Sequence, residues 1–218
     1  CGPFSDDLHH VPPLRTILAK GFGGVRAEVA DALAQCPKND PHGKKQLETA
    51  LVGLDTIRAI QLKFAEKAEM ILSKESLDVP SRRRMERIAD CAKRCPWEPP
   101  KTFFEGMNAI WFIREILSYV DGLCIFSLSR PDAMLFDLYK ADLDAGRITK
   151  EEARDLVARW LIHADEHMDT LRKIDSYSDQ EAEMPVTLGG CHYDHTGKSV
   201  KHIGSIVLAE DAKALGLP

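Results

Sequence analysis

The chain has 218 residues, 44% of them hydrophobic and 7% aromatic, enough to bury a core as one domain or as part of a larger one. A net charge of -5 and a pI near 5.9 argue against nucleic acid or an anionic membrane as partner, and the only basic cluster, at 81–87, reads as a solvated helix face. No apolar run is long enough to span a membrane and residues 1–20 lack a signal-like segment, so the expected location is the cytoplasm.

Cys1, Cys36, Cys91, Cys95, Cys124 and Cys191 are too scattered for a disulfide scaffold and fit a reducing compartment. Cys91 and Cys95 have the spacing of a metal pair, but no second pair answers them. Because the first residue is not Met, a processed product, an engineered piece or a fragment is expected.

In chain order, Pro12 and Pro13 precede an apolar turn at Leu14, Ile17 and Leu18. Gly21, Gly23 and Gly24 break it before a second helix over 25–33. From 46 to 77 the residues Leu47, Leu51, Leu54, Ile57, Ile60, Phe64, Ala68 and Ile71 recur at spacings of three and four, the period of a long amphipathic helix. A linker through Asp78, Val79 and Pro80 leads to a charged helix over 82–93, which stops before Pro96.

Thr102 and Glu105 have the spacing of a capping box, so a helix is predicted from Phe103. Apolar residues on more than one of its faces, through Val120, make it a core helix that Gly122 ends. Residues 123–129 read as one buried strand, closed by Arg130, Pro131 and Asp132. Arg130 and Asp132 are expected to form a structural ion pair or loop hydrogen bonds. Thr149 and Glu152 form a second capping box, and Ala153, Leu156, Val157, Trp160, Leu161, Ala164 and Met168 form the stripe of an amphipathic helix. After a polar connector, 169–183, a short strand is predicted at 186–188, and a last helix over 200–215. No internal repeat or low-complexity tract occurs.

His163, Glu166 and His167 spell H-x-x-E-H, two imidazoles one helical turn apart, a spacing that could hold zinc and activate water. The third ligand would have to come from Cys191, His192, Asp194 or His195. A zinc-dependent hydrolase is therefore an alternative function. Both histidines flank the apolar stripe, however, which favours two partly exposed side chains and no metal site.

Five pieces in order, Pro96-Trp97-Glu98-Pro99, Thr102 to Glu105, Ile110-Trp111-Phe112, Ser127 to Asp132 and Tyr139 to Ala153, resemble the glycyl radical enzymes of the pyruvate formate-lyase and glycerol or diol dehydratase superfamily. Val186 to Gly190 matches a Val-Thr-Leu-Gly-Gly segment of that family, although the loop after it is longer and His202 stands near an expected Asn. The resemblance implies formate acetyltransferase, lyase or dehydratase chemistry in anaerobic metabolism. It also implies a glycyl radical installed by an S-adenosylmethionine-dependent activating enzyme, and a small-molecule substrate. By its alignment His9, Leu123 and Cys124 fall on substrate-facing positions, with Pro13 where an acidic residue is frequent and Ser129 in place of the usual Gly before Arg130. Leu123 in place of His does not support glycerol as substrate.

The family's thiyl-cysteine and glycyl-loop segments have no counterpart among these residues, so no catalytic residue is assigned and no radical cofactor is expected in this chain by itself. The implied fold is mainly α with a few strands, a partial α/β structure belonging to an incomplete β/α barrel. It would be helical over 1–95, a helix, strand and helix core over 96–168, and a connector, strand and helix over 169–218, all part of one domain. The implied function is a fragment or subunit of such an enzyme, inactive alone, whose partner is the rest of the barrel or a dimer mate. A non-catalytic subunit that binds a partner chain is the remaining alternative. Protein purified without added metal is expected to carry no stoichiometric zinc. Elemental analysis checks this, and one zinc per chain, lost together with hydrolase activity on His163→Ala, would reverse the ranking.

Overall fold

The computed structural model describes residues 11–74, 76–117, 127–170, 191–193, 196 and 198–201. Among the described residues six helices, α1 (Leu14–Ala34), α2 (Pro41–Lys74), α3 (Val79–Arg94), α4 (Phe103–Ile116), α5 (Pro131–Asp144) and α6 (Lys150–Thr170), precede two short strands, β1 (Cys191–Tyr193) and β2 (Ser199–Lys201). The described residues are mostly helical, as expected. The chain divides into two compact units, Arg15–Pro100 and Cys1–Leu14 with Lys101–Pro218.

In the first unit the predicted glycine break lies at Gly21, whose φ of 68° and ψ of 168° belong to a region that only glycine occupies readily. A Cβ there would stand 2.2 Å from the carbonyl oxygen of Trp97. The close approach lets Phe22 N–H donate to Pro96 O at 3.0 Å and Gly23 N–H to Trp97 O at 2.9 Å. The Arg58 guanidinium lies 5.3 Å over the Trp97 ring and donates to Lys93 O. Thus the Pro-Trp-Glu-Pro stretch closes this unit against α1 and α2.

α2 packs on α3, but not through the whole predicted apolar stripe. Its buried residues are Gln61, Ala65 and Ala68, whereas Phe64 is 50% exposed. Small side chains let the two helices approach, and the larger aliphatics flank the seam. Gln61, polar yet 1% exposed, is held there by donating Nε2–H to Ala92 O at 2.7 Å. Asp78 and Val79, expected as linker, instead begin α3. The Asp78 carboxylate accepts from Ser81 N–H at 2.8 Å, and Pro80 occupies the first turn, where its missing N–H costs nothing.

In the second unit α4 begins at Phe103 as predicted. Glu105 N–H donates to Thr102 Oγ1, but the returning Glu105 carboxylate accepts from Lys101 N–H rather than Thr102 N–H. The Thr149 and Glu152 box forms in both directions, with Thr149 N–H donating to Glu152 and Glu152 N–H to Thr149. α4 and α5 run antiparallel: Phe103 meets Tyr139 edge-on at 5.4 Å, and Gly106 faces Leu135 and Leu138. On α6 the predicted stripe is buried at Ala153, Val157 and Trp160.

β1 and β2 pair antiparallel, Cys191 with Lys201 and Tyr193 with Ser199. Val200 and Lys201 therefore belong to a hairpin and not to the predicted last helix, because their backbone groups are spent on the ladder. The rest of that predicted helix, the strand at 186–188 and the Gly122 stop lie outside the described residues. So do residues 123–126 of the predicted central strand, and 127–129 are not in a strand.

Gly21→Ala is expected to cost about 3 kcal/mol, from left-handed strain and collision with a backbone oxygen that cannot retreat, read as a lower midpoint in chemical denaturation. The Asp78 carboxyl is held below the usual carboxylate range, first by the Ser81 hydroxyl and then by its N–H. A depressed carboxylate stabilises the fold above its unfolded pKa and loses that contribution as pH falls through the folded one. Asp78→Ala should therefore lower the melting temperature at neutral pH, with the difference closing as the solution is acidified.

Candidate functional site

The candidate site is the exit of the predicted strand, 127–132, where the chain enters α5. Ser129 has φ 60°, a left-handed conformation uncommon for a residue with a Cβ. Ser127 Oγ accepts from Ser129 N–H at 2.9 Å and holds the turn. Arg130 then stands at the N-cap of α5 without a capping side-chain bond, followed by Pro131 in the first turn. Its Nη2 lies 3.6 Å from the Asp132 carboxylate, which is 0% exposed and accepts from Ala133 N–H at 2.7 Å. Arg130 and Asp132 are thus an ion pair, as expected, and Arg130 Nε and Nη2 are buried without a hydrogen-bond acceptor.

Because α4 and α5 are antiparallel, the end of α4 lies at the same end of the pair as the start of α5. There Arg114, 1% exposed, donates to Glu115 at 2.7 Å and lies 5.0 Å over the Trp111 ring. Buried charges of both signs therefore bracket the segment between the helices. Arg114 was missed in the sequence because an arginine among the apolar residues of a helix is read as its solvent face. Its one signal was the apolar residue on either side of the Arg114-Glu115 pair.

At the other end of the pair Asp142, 1% exposed, accepts from Phe103 N–H at 2.8 Å and from Arg147 Nε–H at 2.8 Å. It supplies an acceptor for one of the free N–H groups at the start of α4. The neighbouring motif residues are structural too. Tyr139 packs on Phe103, Gly146 takes φ 64° after α5, Ile148 is buried, and Thr149 with Glu152 caps α6.

His9, Leu123 and Cys124, the three expected substrate-facing residues, lie outside the described residues, as does the position of His202. His163 is exposed, with its ring centroid 6.0 Å from that of Trp111, and Trp111 also meets Trp160 edge-on at 6.5 Å. His167 lies one turn further along α6, and of the suggested third ligands Cys191 and His192 lie on β1, while Asp194 and His195 are outside the described residues. Among the described residues no group of three His, Cys, Asp or Glu is placed to hold a metal. Cys36 and Cys91 are free thiols, and no described helix is long and apolar enough to cross a membrane.

Comparison with known proteins bears on the same stretch. The family model described as pyruvate formate lyase-like matches residues 3–201. The isethionate sulfite-lyase of Nitratidesulfovibrio vulgaris is 26% identical over 160 residues, which are 71% of this chain and 19% of that protein. The probable dehydratase YbiW of Escherichia coli is 27% identical over 165 residues, 72% of this chain and 20% of its own length. The chain thus spans about a fifth of the length of these relatives. A solved structure describing 1,2-propanediol dehydration in Roseburia inulinivorans superposes with a TM-score of 0.78 at 24% identity, covering 96% of this chain and 27% of the other. The B12-independent glycerol dehydratase of Clostridium butyricum superposes with the same TM-score at 23% identity. These two likenesses are of fold.

Two substitutions test the roles assigned to the scaffold. Asp142→Ala is expected to cost about 3 kcal/mol, because it leaves a buried backbone N–H without an acceptor and removes the ion pair. Ser129→Gly is expected to raise stability by about 0.5 kcal/mol, relief of left-handed strain outweighing the added freedom of the unfolded chain. Urea unfolding of both variants beside the parent measures each.

Proposed function

The chain belongs to the pyruvate formate lyase-like family, and on that premise we propose that these 218 residues form part of a glycyl radical lyase or dehydratase acting on a small molecule. The observation that carries this reading is the family match over residues 3–201, on a chain that spans about a fifth of its relatives' length. In this reading the helix, strand and helix core is one wall of an incomplete β/α barrel, Leu123 and Cys124 face the substrate with His9 near them, and the rest of the barrel or a dimer mate completes the enclosure. A reducing, cytoplasmic setting accords with the free thiols at Cys36 and Cys91.

The radical supplies the hard step in such enzymes, while the surrounding protein positions substrate and excludes side reactions. None of the six cysteines and none of the fourteen glycines has the sequence neighbours of the family's thiyl or glycyl loops. The residues present therefore do not fit the role of carrying the radical, and no radical step is assigned to them. What they offer is a rigid frame: the Asp142 tie at one end of α4 and α5, and the paired charges Arg114 with Glu115 and Arg130 with Asp132 at the other.

After anaerobic treatment with a radical-activating enzyme and S-adenosylmethionine, the chain alone is expected to give no glycyl doublet in electron paramagnetic resonance. A doublet arising from it would show that one of its own glycines stores the radical. When a partner bearing both loops is supplied and turnover appears, replacing Cys124 by a bulky residue should change substrate choice or abolish turnover, whereas His163→Ala should do little. The opposite pattern in steady-state kinetics would move the site to α6.

A further inference from the structure

We draw no further inference here: the strongest candidate, the Arg130 side-chain cluster at the head of α5, where Nε and Nη2 are buried with no hydrogen-bond acceptor, belongs to the strand-exit loop already described, and nothing in the structure shows what would meet those two donors.

Discussion

A helix that starts inside a protein brings with it N–H groups that no turn of its own can satisfy. For α4 the answer comes partly from Thr102, one residue before it, and partly from Asp142 near the end of α5. The second contact makes one buried carboxylate answerable for two helices at once. It ties the first residue of α4 to the last turn of α5, and Arg147 offsets its charge from the solvent side. With that end tied, Gly106 lets Leu135 and Leu138 close on α4, since a Cβ at 106 would stand 2.6 Å from Leu135. The antiparallel pair then delivers both ends of the intervening segment to one place.

The unit from Arg15 to Pro100 follows the same logic with backbone in place of a carboxylate. Gly21 turns the chain so that the N–H groups of Phe22 and Gly23 face the carbonyls of Pro96 and Trp97. Those donors would otherwise be lost at a helix break. Gln61 shows the same need inside the α2 and α3 seam, where an amide is tolerated because a free carbonyl at the end of α3 receives it. In each unit a buried polar side chain, Asp142 in one and Gln61 in the other, completes a helix end.

The motif from Tyr139 to Ala153 is therefore a structural signature. Tyr139, Ile148 and Ala153 pack in the core, Gly146 turns the chain, Asp142 receives the start of α4, and Thr149 with Glu152 caps α6. A signature of that kind identifies kin without identifying chemistry, because the same frame serves different reactions. The isethionate lyase and the dehydratases that resemble this chain have different activities in their names. In the function proposed above, the frame is common to the family and substrate choice is assigned to side chains it carries, Leu123 and Cys124 among them.

Local chemistry was legible in the sequence wherever both partners lie within a few residues. The two Thr and Glu boxes marked the starts of α4 and α6, and Gly21 fell within the predicted break, because a cap or a turn is decided by neighbours in the chain. The family was legible for the same reason, its motif residues being spaced by those local needs. What only the tertiary structure decided are the pairings across the chain. The three-four period of α2 marked a stripe, but which part of it is buried depends on how closely α3 approaches, and the seam took Ala65 and Ala68 while leaving Phe64 half exposed. The burial of Arg114, Gln61 and Asp142 was not legible, because a polar side chain is buried only where a partner waits, and each partner, apart from the adjacent Glu115, stands on another helix or another turn.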